Sequence, residues 1–128
     1  MIAAPALAAP AGDKAIIAAW GQRAVALDTY SSLPFSETGF GYTPDEKACW
    51  DIIDAAEEMI RGTVAATPQG IVIQLLCAMT HSTAERKADD AATHGDLDAL
   101  HAMDSDLDWD MRLILAAIRS LKAMEDRA

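Results

Sequence analysis

Six aspartates, Asp96, Asp98, Asp104, Asp106, Asp108 and Asp110, fall within fifteen residues that contain no lysine or arginine. Such a run suits two chemistries. The alternation from Asp104 to Asp110 matches the first half of a calcium-binding EF-hand loop. That loop also needs a glycine at its sixth position and a bidentate glutamate at its twelfth. Trp109 and Leu115 stand there, so the loop is incomplete. A row of carboxylates can also imitate nucleic-acid phosphates and occupy the basic groove of a DNA- or RNA-binding protein, through an attraction that salt weakens. The plainer reading is a solvated connector followed by an acidic helix start, where carboxylates meet the positive end of the helix dipole. We take the six aspartates as the candidate partner-binding run.

His94, Asp98 and His101 would share one face of a continuous helix and could offer metal ligands. Gly95 argues for a helix start between them, which takes His94 off that face. No metal site and no cofactor are expected. Cys49 and Cys77 lack Cys-x-x-Cys spacing and lie on apolar helical faces, where a thiol is normally protonated and inert. Asp54 with Glu57 or Glu58 could act as an acid–base pair, but an exposed helical face accounts for all three. Ser82, Ser105 and Ser120 lack the Gly-x-Ser-x-Gly context of an activated nucleophile. No glycine-rich phosphate loop is present. Without a positioned acid, base and nucleophile, the chain is expected not to be an enzyme. A metal-dependent enzyme is the weakest of the functional alternatives.

The elements that would carry these residues are helical. The chain has 128 residues, 52% of them hydrophobic but only 5% aromatic, with alanine supplying much of the apolar share. Alanine favours helix and adds little core volume. The formal charge is −10, which opposes direct contact with nucleic acid or an anionic membrane. No apolar run approaches the ~18 residues of a membrane span. Residues 1–12 read as a disordered Ala/Pro tail without the cationic segment of a signal peptide, and residues 13–128 as one helical domain in the cytoplasm.

The first helix is expected from about Asp13 to Asp28, with Asp13 as its cap and Ile16, Ile17, Trp20, Ala24 and Leu27 inward; Gly21 would allow a close helix approach. Ser31 to Thr43 reads as an aromatic-rich loop holding Phe35, Phe40 and Tyr42. Thr43, Pro44 and Glu46 spell a capping box with proline in the first turn. The stripe Cys49, Ile52, Ile53, Ala56, Met59 and Ile60 follows, and Gly62 supplies a left-handed helix end. Thr67-Pro68 opens a third helix, apolar except for Gln74, that belongs at the centre of a bundle. Residues 80–95 carry no decisive pattern. A short helix is expected over Asp96 to Met103. The last helix, Asp106 to Asp126, carries a seam of Leu107, Met111, Ile114, Ile118 and Leu121. Trp109 and Leu113 form its second apolar edge.

The block from Trp50 to Ile60, followed by Ala65-Ala66-Thr67-Pro68-Gln69-Gly70-Ile71, resembles a loose group of small helical proteins from alphaproteobacterial genomes and prophages. Those proteins share an Ala-Thr-Thr/Pro-x-Gly turn between two helices, and often carry lysine at the position of Gln74. The resemblance spans residues 45–79 and implies an all-α fold and a phage context. It implies no catalytic residue. The expectation is an all-α, single-domain bundle of four to five helices with a central apolar helix. Functionally it is expected to be a non-enzymatic protein–protein interaction protein, homodimeric through the apolar surface of the third helix or through Trp109 and Leu113. The alternative is an acidic inhibitor of a basic nucleic-acid-binding protein, as an anti-CRISPR would be.

Overall fold

The computed structural model describes residues 11–34 and 41–127, with side chains from Asp13 onward. Among these residues six α-helices follow one another: α1 Ala11–Ser32, α2 Pro44–Gly62, α3 Pro68–Ser82, α4 Arg86–Thr93, α5 Leu97–Ala102 and α6 Trp109–Asp126, with a 3-10 turn at Asp104–Asp106 before α6. Among the described residues there is no strand, and the architecture is all-α. The extra helix relative to the expected four to five is α4, formed in the stretch whose pattern was indecisive. The aromatic loop at Phe35 and Phe40 lies outside the described residues. Among the described residues no helix is long and apolar enough to cross a membrane.

The helix starts follow from local chemistry. Thr43 Oγ1 accepts from Glu46 N, and Glu46 Oε1 accepts from Thr43 N at 3.0 Å, so the capping box is complete. Thr67 caps α3 with Pro68 in its first turn. Gly62 is the last residue of α2 and has no positive φ; the left-handed glycine that ends a helix is Gly95, at φ 65°. There Asp96 N donates to Ala91 O and Gly95 N to Ala92 O, the paired bonds of a Schellman motif that stops α4. Gly95 therefore ends one helix rather than starting the next. Gly21 has open space around it and mediates no close approach.

α3 is central because its two sides face two cores. Val72, Leu76 and Met79 pack with Ala88, Ala92, Leu100, Met111, Leu115 and Ile118 of the C-terminal half. Ile73 and Cys77 pack with Ile16, Ala19, Ala56 and Ile60 of α1 and α2. The buried face of α1 is rotated from the expected one and runs Asp13, Ile16, Ala19, Arg23, Ala26. In α2, Ile52 and Met59 are nearly half exposed and flank the seam rather than form it. In α6, Leu115 joins Met111 and Ile118 in the seam, while Ile114 and Leu121 pack against its edge.

Two polar tethers fix the α2–α3 corner. Gln74 Nε2 donates to Ile60 O at 3.1 Å and Thr63 O at 2.8 Å, satisfying carbonyls that the end of α2 leaves open. Asp13 is fully buried and does not cap its own helix. Its carboxylate accepts from Ala66 N at 2.8 Å, Thr67 N at 3.1 Å and the Thr67 hydroxyl. The Thr67 hydroxyl, with help from the Ala66 amide, holds the Asp13 carboxyl below the ordinary carboxylate range. A side chain at Gly70 would meet Asp13 Oδ2 at 2.5 Å, so glycine there makes room for the carboxylate.

Candidate functional site

α2 and α3 diverge over a groove of about 690 Å³ lined by Asp54, Glu57, Glu58, Arg61, Gln74, Cys77 and His81. Its polar centre is built by three helices. Glu57 projects from α2, and Cys77 and His81, four residues apart, lie on one face of α3. Arg23 reaches in from α1, only 4% exposed.

Glu57 Oε2 is the hub. Arg23 Nε donates to it at 3.0 Å, His81 Nε2 lies 2.9 Å away and Cys77 Sγ 4.0 Å away. Arg23 also donates from Nη2 to Thr80 Oγ1 at 3.0 Å, and its guanidinium lies over the Trp20 ring. Arg23 Nη1 is buried with no partner among the described residues. A guanidinium this deep is tolerable only because a carboxylate and a hydroxyl face it. The groove mouth is acidic and exposed, with Arg61 held by Glu58 at 2.8 Å.

Cys77, His81 and Glu57 have the residue types of a thiol-nucleophile triad, but not its electrostatics. Burial pushes the Cys77 thiol up; Arg23 pulls it down and Glu57 raises it again. An activated cysteine needs its thiolate favoured in an electropositive setting. This thiol is protonated at neutral pH, and the cluster is not poised for nucleophilic attack. The sequence places Cys77 and His81 four apart, a legible signal. The groove itself was not read from the sequence: Glu57 sits among solvated acids on α2, and Arg23 has no local signal of burial.

The sequence-predicted residues fall elsewhere. Of the acidic run, Asp96, Asp98, Asp106, Asp108 and Asp110 are exposed. Asp96 caps α5 by accepting from Ala99 N at 3.1 Å. Asp104 is partly buried and meets Arg112 at 3.4 Å. Asp108 occupies the N-cap position of α6 without a side-chain capping bond. His94 is separated from Asp98 and His101 by the turn at Gly95. Its Nδ1 lies 2.8 Å from Asp90 O and its Nε2 3.0 Å from Asp28 Oδ1. Two acceptors require two N–H groups, which only the imidazolium carries. The Asp90 carbonyl, then Asp28, accordingly raise its pKa. The folded pKa is raised, so this link to α1 is fully present below the ordinary histidine value and lost as pH rises through the raised one.

Trp109 is 75% exposed and Leu113 56%, on the side of α6 away from the core. The same face continues through exposed Ala116, Ala117 and Ser120 to Met124. It is an unbroken, smooth stripe about 22 Å long at the helical rise. No protein-family description, curated protein or solved structure matches the chain.

Proposed function

We propose that this is a non-enzymatic interaction protein that self-associates through the outer face of α6. The observation that carries the reading is the exposed stripe from Trp109 through Leu113 to Met124. Large apolar side chains aligned on one helix face mark an interaction surface, whereas scattered ones do not. The middle of the stripe is alanine, so two copies of α6 could approach closely. An antiparallel pairing centred there sets Trp109 against Met124 of the second copy, a favourable sulfur–aromatic contact. It also brings Arg127 of that copy toward Asp106, Asp108 and Asp110. The acidic run then serves orientation, as charged rims do.

The test is Leu113→Glu, which places a charge in the contact. Dissociation should increase by roughly thirtyfold or more, the effect of losing about 2 kcal/mol at an interface centre. Sedimentation equilibrium reads it. An association constant equal to that of the unmodified chain would sink the stripe as the contact.

A second reading rests on the five exposed aspartates: the run binds a basic nucleic-acid-binding protein in place of nucleic acid, within a phage setting. Changing Asp106, Asp108 and Asp110, three of the exposed aspartates, to Asn separates the two. On the self-association reading, the dimer weakens modestly and loses its salt dependence. On the mimicry reading, binding to the basic protein is abolished and the mass in solution is unaltered.

A further inference from the structure

We propose that Glu57, Cys77 and His81 bind a thiophilic divalent cation, Zn²⁺ by the chemistry of the donors, and that the ion clamps α2 to α3. One carboxylate oxygen, the Cys77 sulfur and one His81 nitrogen lie within 4.8 Å of one another. A tetrahedral zinc ion with these donors sets sulfur and oxygen about 3.5 Å apart and nitrogen and oxygen about 3.3 Å apart. The distances here are 4.0 and 2.9 Å. Each differs from the zinc value by about half an ångström, within reach of side-chain rotation. The cysteine and histidine share one turn of α3, and the carboxylate crosses from α2, so the ion would bridge two helices that the Gln74 tether holds at their shared corner.

The donor set argues for zinc over calcium or magnesium, which take oxygen ligands. Arg23 supplies the outer support that such sites use: its Nε–H holds Glu57 Oε2 from the core side, fixing the carboxylate while the groove side remains open. A thiolate and a carboxylate balance the two positive charges of the ion. Water from the groove fills the fourth position. On binding, the Cys77 thiol gives its proton to solvent and the His81 nitrogen that ligates is unprotonated. This inference is independent of self-association, because the stripe on α6 shares no residue with the groove.

Cobalt(II) titration of reduced, tag-free, chelator-stripped protein tests it. The expected result is a thiolate-to-cobalt charge-transfer band that saturates at one ion per chain and is displaced by zinc. Cys77→Ser should lose the band and Cys49→Ser keep it. His81→Ala changes a side chain that is 64% exposed and leaves the Arg23–Glu57 pair in place. It should weaken metal binding by about tenfold or more. No band in the unmodified protein, a band that survives Cys77→Ser, or unaltered affinity in a folded His81→Ala protein would each overturn the proposal.

Discussion

Glu57→Ala will destabilise the fold by about 3–5 kcal/mol, because it leaves the Arg23 guanidinium buried without its counter-charge. Arg23 is only 4% exposed, with Trp20 against it and one nitrogen already without a partner among the described residues. The remaining bond to Thr80 cannot offset the loss of a carboxylate at 3.0 Å. A domain of this length has a total stability of about 5–15 kcal/mol, so the variant is left marginal. Urea unfolding in the presence of a chelator measures the loss without any metal contribution. The double variant Arg23→Met with Glu57→Met provides the contrast. It removes both charges and fills the space with apolar side chains, so it should fall within about 1–2 kcal/mol of the unmodified chain. Equal losses in the two variants would show that packing, not the uncompensated charge, sets the cost.

Asp13→Ala will markedly lower the stability of the fold, because three donors converge on one carboxylate and all three lose a charged acceptor at once. The donors are the amides of Ala66 and Thr67 and the Thr67 hydroxyl. They belong to the segment that turns α2 into α3, so the loss frees the start of the central helix from α1. The same group gives a pH dependence. Its folded pKa is depressed below 3.8 by the Thr67 and Ala66 donors. The stabilisation is therefore fully present above the unfolded value and is lost as pH falls through the folded one. Acid unfolding curves should show the unmodified chain losing stability below that value. Asp13→Ala should lack this part of the acid limb. Parallel acid limbs in the two proteins would contradict the assignment.

What the sequence made legible divides by range. The capping box at Thr43–Glu46 and the Thr67-Pro68 start were readable because donor and acceptor lie within one turn. The central place of α3 was readable from a helix apolar on nearly every side. What escaped is set by partners far along the chain. Asp13 has the look of a local cap, yet its donors lie more than fifty residues away. Arg23 sits in a helix whose apolar residues suggest a different inward face, and only its pairing with Glu57 makes its burial tolerable. Glu57 is flanked by Asp54 and Glu58, which are solvated, and nothing local distinguishes it from them. Residues 80–95 were undecided because α4 is only eight residues long, and its buried face of alanine and threonine carries no large apolar side chain to mark it. The exposed pair Trp109 and Leu113 was readable, whereas its continuation to Met124 required knowing which residues the α6 seam removes from the surface.

The central claim is self-association through that face. Sedimentation velocity of the unmodified chain over a wide concentration range tests it most directly. The account predicts a concentration-dependent shift from the 13.6 kDa chain to a species of twice that mass. A single 13.6 kDa species at every concentration would contradict it.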